Sequence, residues 1–529
     1  MITRRDFLKT AGLGITGLSP TIKALASRNQ TSGFFGVHSF IENNPGAVFI
    51  MHTNVDVKTN SEAKKLAGLD FGRSVFVPKE ESEGGIPLTH KVALKPNLTC
   101  RQSSNDKYTV EGTMGIVTDA YLVEGMIESM KELGIAGNQF YIREVNCPED
   151  FDDSGYWEMA ERTGADIRDM SPEVGVISEN DLQWVDVPDG VYFRKIPYLW
   201  PINAPDTWLL NIAKLKAHGM GITLCSKNLQ GTIAHNYQAH CGGWNLNMDS
   251  AHNNPDSRNE ITENHLRHVE DGIPRWDRPG GGISMERWAS RCLDNNSVTH
   301  PGLHIIDGVY SRDGDFVKGP GPDGLANDFM TNMIIFGKNH VYVDIIGHWL
   351  AGHEPGNFGL FHMAIERGMA LVLNPMNIPV YEWKPDGSAT LTPLTDFERT
   401  PLLTYYLQRD YDDQSESYWH MVDEPYDYGT ESVDEPYREV KPGAFVLHQN
   451  RPNPFNPFTS IKYYIPRSGY AQLEVYNASG QLVDLIVDGY RSAGTHMAVF
   501  NTHNHSSGVY FYRFRYRGFS ETKKMVLLK

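Results

Sequence analysis

Between residues 214 and 231 the chain gathers Lys214, Lys216, His218, Lys227 and Asn228 around Gly219 and Gly221. Ammonium and imidazole groups beside glycines suit a small anionic ligand, a phosphate or a carboxylate. Lys95 and Asn97 add a donor pair, and Asp119 and Glu144 supply carboxylates. His218 is the natural proton carrier, because an unperturbed imidazole titrates near neutral pH. A buried lysine of lowered pKa could instead act as a nucleophile. Lys216 and His218 lead this set, and Lys95, Asn97, Asp119, Glu144, Lys227 and Asn228 complete it. No Walker, dinucleotide-binding or catalytic-triad pattern narrows the reaction.

A metal ion is the second chemistry. His218, Cys225, His235, His240, Cys241 and His252 lie close in sequence. Imidazole and thiolate suit zinc or another borderline metal. The spacings match no standard zinc module, since His240 and Cys241 are adjacent. Cys225 and Cys241 could alternatively pair as a disulfide after export. The five cysteines form no CxxC pair, so the chain has no iron–sulfur motif. Cys100, Cys147 and Cys292 read as small buried residues.

An α/β scaffold is expected to hold these groups. Apolar runs predict strands over 91–94, 140–142, 207–212 and 304–306. Helices are predicted from Thr118 or Asp119 to Gly134, then over 156–163, 341–350 and 359–367. Such alternation predicts a mostly parallel sheet with helices on both faces, spanning residues 33–396. Lys95, Asn97, Glu144, Lys214, Lys216, His218 and Asp307 would then all follow strand C-termini. Open α/β sheets bind ligands at that edge, so a common site is expected there. Gly319-Pro320-Gly321-Pro322 reads as a rigid loop over the site, because prolines lack N–H groups.

The region from about Val92 to Gly368 resembles the family called domain of unknown function 362. The motifs are Lys95-Pro96-Asn97-Leu98, Thr118-Asp119, Lys214-Leu215-Lys216-Ala217-His218, Lys227-Asn228-Leu229-Gln230-Gly231 and Asp307-Gly308-Val309, with the glycine- and proline-rich run 319–324. Many relatives carry a fused ferredoxin-like segment with clustered cysteines. This chain lacks that cluster, so an iron–sulfur cofactor is not carried over.

The two ends carry different signals. Arg4-Arg5-Asp6-Phe7-Leu8-Lys9, an apolar run over 11–18 and Ala24-Leu25-Ala26 form a charged, apolar and cleavable series. It resembles a twin-arginine signal peptide over residues 1–26, which implies the twin-arginine translocase as a partner. The apolar run is too short for a transmembrane anchor. From 445 to 529, short alternating runs separated by turn residues predict an all-β sandwich. Asn453-Pro454-Phe455-Asn456-Pro457, Ser507-Gly508-Val509-Tyr510 and Lys523-Lys524-Met525-Val526 resemble the C-terminal sorting domain of type IX secretion cargo, related to an Ig-like domain of a flagellar hook-capping protein. That implies the type IX machinery as a second partner. A carbohydrate-binding sandwich is the alternative, and the aromatic run 510–514 does not separate the two. Residues 407–440 are acidic and tyrosine-rich, with the repeat Val422-Asp423-Glu424-Pro425-Tyr426 and Val433-Asp434-Glu435-Pro436-Tyr437. They read as a solvated tether, with calcium binding as the alternative.

The net charge of −17 argues against nucleic acid or an anionic membrane as partner. The expectation is an exported protein, at the cell surface or outside, that binds or transforms a small anion. A surface binding or structural protein without turnover is the alternative.

Overall fold

The computed structural model describes residues 33–98, 115–144, 154–168, 178–218, 221–234, 253–273, 283–314, 319–321, 324–405, 419–420, 425–428, 446–450, 453, 455, 458–465, 469–491, 494–501, 505–516 and 519–528. Residues 1–32, where a signal peptide is expected, most of residues 407–440, where a tether is expected, and Gly219, Pro322, Cys100, Cys147, His235, His240, Cys241 and His252 lie outside the described residues.

The central sheet has ten strands. They are β1 (Val48–His52), β2 (Lys91–Pro96), β3 (Phe140–Ile142), β4 (Asp166–Ile167), β5 (Thr207–His218), β6 (Gly221–Thr223), β7 (Leu303–Arg312), β8 (Asp328–Gly337), β9 (Val380–Trp383) and β10 (Ala389–Leu391). Their order is β10-β9-β1-β8-β7-β5-β2-β3-β4, with β6 folded back on β5. The run β7-β5-β2-β3-β4 is parallel throughout. β8 runs antiparallel to both β7 and β1. The sheet is therefore mixed and mostly parallel.

Besides a short turn of helix at Ser39–Glu42, the helices described are α1 (Ser61–Val75), α2 (Ala120–Lys131), α3 (Tyr156–Thr163), α4 (Cys225–Asn228), α5 (Ser257–Glu270), α6 (Ile283–Val298), α7 (His340–Leu350) and α8 (Gly359–Glu366). Successive strand residues point to opposite faces. Leu94, Leu210, Ile212 and Ile305 share a core with Phe71 of α1 and Val123, Met126 and Ile127 of α2. Ala213, Leu215, Ala217 and Ile306 face the other way, toward Trp288 of α6 and Val343 and Ile346 of α7. Asp119 starts α2 as expected, its carboxylate accepting from the Tyr121 and Leu122 N–H groups.

Two strands run further than their apolar stretches suggest. β5 continues past Ile212 to His218, and β7 continues past Ile306 to Arg312. Lys214, Lys216, His218 and Asp307 thus lie within strands, not after them. Lys214 and Asp307 are opposite each other in the β5–β7 register. Each buries its charge against the other, which lets polar residues occupy core positions.

His268 of α5 clamps three helices. Its Nδ1 lies 2.9 Å from Glu286 of α6, and its Nε2 lies 2.9 Å from Glu366 at the end of α8. The Nδ1 contact is off the hydrogen-bond line, so it is an ion pair without an aligned bond. Burial opposes the charge of His268, but the two carboxylates outweigh it and hold the pKa up to about 9. A raised folded-state pKa stabilises fully below the ordinary 6.5 and loses that contribution as pH rises through about 9. Denaturant midpoints should fall across that window in the parent, and His268→Gln should abolish the fall. An equal fall in both would refute the clamp.

The C-terminal region holds a second core. β11 (Phe458–Ile465) pairs with β14 (Gly494–Asn501) and the short strand Val446–Leu447. β12 (Gly469–Asn477), β13 (Leu482–Arg491), β15 (Gly508–Tyr516) and β16 (Phe519–Leu527) form an antiparallel sheet in the order β13-β12-β15-β16. Ile461, Tyr463 and Phe500 meet Leu473, Val475, Tyr512 and Phe514 in one cluster, and the Tyr463 and Phe514 rings lie 4.3 Å apart. Tyr510, Tyr512, Phe514 and Tyr516 are all buried, so this aromatic row is core. That weighs against its being a sugar-stacking surface. Among the described residues no helix is long and apolar enough to cross a membrane.

Candidate functional site

Lys95 sits near the end of β2 with its side chain 1 % exposed. Its ammonium lies 2.6 Å from the Glu144 carboxylate and donates to the Pro96 carbonyl at 2.6 Å and to Asn228 Oδ1 at 3.0 Å. An ammonium has three N–H donors, so all of them are engaged. Glu144 follows β3 and also accepts from the Leu98 N–H at 3.1 Å. Asn97 donates to Asn228 Oδ1 at 3.1 Å. Asn228 donates in turn to the Lys95 carbonyl at 3.0 Å and to Asn211 Oδ1 at 2.8 Å. Four of the expected residues, Lys95, Asn97, Glu144 and Asn228, therefore form one hydrogen-bonded cluster.

Burial pulls the Lys95 pKa down, Glu144 pulls it back up, and Lys227 pushes it down again by repulsion. Lys227 is half-buried on α4 beside Asn228. Among the described residues it has no hydrogen-bond or ion-pair partner. Asp344 of α7 holds α4 in place by accepting from the Cys225 and Ser226 N–H groups, each at 2.8 Å. Its own pKa is raised to about 7 by burial. Gly231 leaves room for the ion pair, because a Cβ there would stand 1.7 Å from Glu144 Oε1 and 2.6 Å from Lys95 Cε.

The other expected residues stand elsewhere. Lys95 and Asn211 are register partners and share a face with Ala213, Leu215 and Ala217. Lys214, Lys216 and His218 alternate with those apolar residues and so point to the opposite face. Lys216 donates to the Ile116 carbonyl at 2.5 Å. His218 is buried opposite Gly221 where β5 meets β6, about 20 Å along the strand from Asn211. The pleat of β5 thus separates the leading pair from the Lys95 cluster.

Asp119 belongs to a second network on that opposite face, with partners that sequence reasoning missed. Its Oδ2 lies 2.7 Å from Lys64 Nζ and accepts from the Tyr310 hydroxyl at 2.5 Å. Lys214 lies 2.9 Å from Asp307 and 3.7 Å from the centre of the Tyr310 ring. Asp307 also accepts from the Asp119 N–H at 3.0 Å. Two cations and two carboxylates balance in a buried interior. Thr118 joins the two networks, accepting from the Asn97 N–H at 2.8 Å and donating to the Ile212 carbonyl at 2.9 Å.

The metal candidates are only partly in view. Cys225 is a free thiol, fully buried and 3.6 Å from the Ile305 carbonyl. Burial and the nearby Asp344 raise its pKa well above the usual value. A protonated, buried thiol is a poor ligand. Among the described residues no group of three or more His, Cys, Asp or Glu side chains is placed to hold a metal. Cys292 is buried, as expected of a small core residue.

Most of this sheet, with the Lys95 cluster, lies within a recognised domain. Residues 92–348 match the family described as Domain of unknown function (DUF362), and they contain every candidate residue above. The second match concerns the tail. Residues 451–528 match the Secretion system C-terminal sorting domain. The chain thus combines a DUF362 domain with a type IX sorting tail, which supports secretion to the cell surface or outside. No curated protein matches the chain.

Proposed function

We propose that this protein captures a small anion, a carboxylate or a phosphate, at the Lys95 cluster of its DUF362 domain after export. The carrying observation is the contrast between two lysines. Lys95 has spent its three donors on Pro96, Glu144 and Asn228, so it positions its neighbours. Lys227 is half-buried and partnerless among the described residues, so it is the cation that meets the ligand. The cluster sits where β2 and β3 end, which is the ligand edge of parallel sheets. Residues 1–26 fit delivery by the twin-arginine route in a folded state, before the type IX machinery reads the tail. The tail's two facing antiparallel sheets agree with an Ig-like sandwich. Capture without turnover is favoured over catalysis by the fully satisfied Lys95–Glu144 pair.

Lys227→Gln should weaken binding of small carboxylates or phosphates at least about tenfold, the scale of one charge-assisted hydrogen bond. Titration calorimetry on the full chain would measure this. Equal affinity in parent and variant would remove Lys227 from the site.

A further inference from the structure

A cleft of about 380 Å³ opens where β7 begins and β8 ends. His300, His304, His340, Lys338 and Arg367 line it together with Thr299, and no carboxylate does. In a chain of net charge −17, a cleft lined by three imidazoles and two cations stands out. Lys338 is braced from outside by Glu42 at 2.9 Å and the Gly302 carbonyl at 2.8 Å. Arg367 reaches Asp294 through Nη1 at 2.7 Å. A guanidinium has five N–H donors, so most of this one remains unspent among the described residues. His340 opens α7, and its Nε2 is buried without a hydrogen-bond partner.

His304 is fixed by the row of side chains behind it. Lys95, Asn211 and His304 occupy one register row across β2, β5 and β7. Asn211 Nδ2 donates to the Cys225 carbonyl at 2.9 Å and lies 3.1 Å from His304 Nδ1. Asn211 Oδ1 accepts from Asn228, so the Asn211 amide is oriented and its NH₂ faces His304. His304 Nδ1 must then be the acceptor, which places the ring proton on Nε2. A second proton at Nδ1 would oppose the Asn211 N–H. His304 is therefore a fixed neutral donor, while His300 and His340 remain able to take up protons.

We propose that this cleft is a second binding site, which takes a small oxyanion between His340, Arg367 and Lys338. The site is separate from the Lys95 cluster and does not rest on the reading of Lys227. Its chemistry is that of phosphate or carboxylate, held by charge-assisted donors. Burial and repulsion from His300 hold the His340 pKa down at about 4. Burial lowers that of His300 as well. A bound anion offsets both causes, so binding draws in protons. The charged groups facing these rings are Lys338 and Arg367, each already tied to a carboxylate behind it.

Calorimetry on the full chain with inorganic phosphate, and separately with acetate, tests this. Affinity for one of them should rise at least about tenfold from about pH 7.5 to about pH 5.5, as one imidazole charges. His340→Gln should abolish that rise and weaken binding, with the melting temperature unchanged, and His300→Gln should reduce the rise. Lys227→Gln should leave this pH-linked binding intact. Phosphate alone binding, or acetate alone, identifies which oxyanion fits. Neither binding would overturn the proposal, as would binding that survives His340→Gln and is lost in Lys227→Gln. The latter pattern would leave the Lys95 cluster as the sole anion site.

Discussion

Asp307→Ala should destabilise the α/β domain by about 3–5 kcal/mol, the usual cost of orphaning one partner of a buried ion pair. Asp307 and Lys214 are both 0 % exposed. Without Asp307, Lys214 keeps the Tyr310 ring beneath it and the weaker pull of the Asp119 carboxylate, and the Asp119 N–H loses its acceptor. The loss has a ceiling, because burial already lowers the Lys214 pKa and an orphaned lysine can shed its proton. The sign follows from proton counting. The folded variant binds fewer protons at Lys214 than the unfolded chain does, so its stability rises with pH toward the ordinary lysine range. The deficit relative to the parent should therefore be largest in acid and shrink in alkali. Urea melts at several pH values would show it. The paired change Lys214→Met with Asp307→Leu should cost far less, because it removes both charges together. A double variant as unstable as the single one would mean that packing, not charge, sets the penalty.

Gly231→Ala should have the largest effect on the Lys95 cluster, although it adds only one methyl group. The new Cβ would overlap Glu144 Oε1 and press on Lys95 Cε. Neither can retreat easily, since Glu144 is tied to Lys95 and the Leu98 N–H, and Lys95 to three acceptors. Breaking that buried pair should cost about 3 kcal/mol. Anion binding through Lys227 should fall with it, because Asn228, its neighbour on the same short helix, loses the Lys95 ammonium as a donor. Unchanged stability and unchanged binding in this variant would show that the pair is not held where the geometry puts it.

Local rules made part of this architecture legible. Asp119 ahead of an apolar period marks the start of α2, the apolar run 140–142 ends at the charged pair Arg143-Glu144, and 156–163 lies between Gly155 and Gly164. The aromatic and glycine punctuation of the tail gave its strands. The site was less legible for two reasons. Strand ends were read from apolar runs, yet β5 and β7 continue through lysine and aspartate that neutralise each other across the register. Extending β5 by six residues changes which face each polar group occupies, and so parts Lys216 and His218 from Lys95. Long-range partners left no local trace either. Lys64 reaches Asp119 from 55 positions away and Tyr310 reaches it from 191. Gly231 is defined only by what a Cβ would strike. Asn211 and His304, which link the Lys95 cluster to the histidine-lined cleft, look like ordinary polar interruptions of apolar strands.

The most direct test of the central claim is to follow the lysine ammonium signals of the full chain by nitrogen-detected magnetic resonance while a small anion is titrated. Ligand capture at the Lys95 cluster predicts that the Lys227 and Lys95 signals move together and saturably. Those of Lys64 and Lys214, in the balanced network on the opposite face, should stay fixed. Movement of Lys64 and Lys214 with Lys227 unmoved would contradict the assignment and place the ligand on the other side of the sheet.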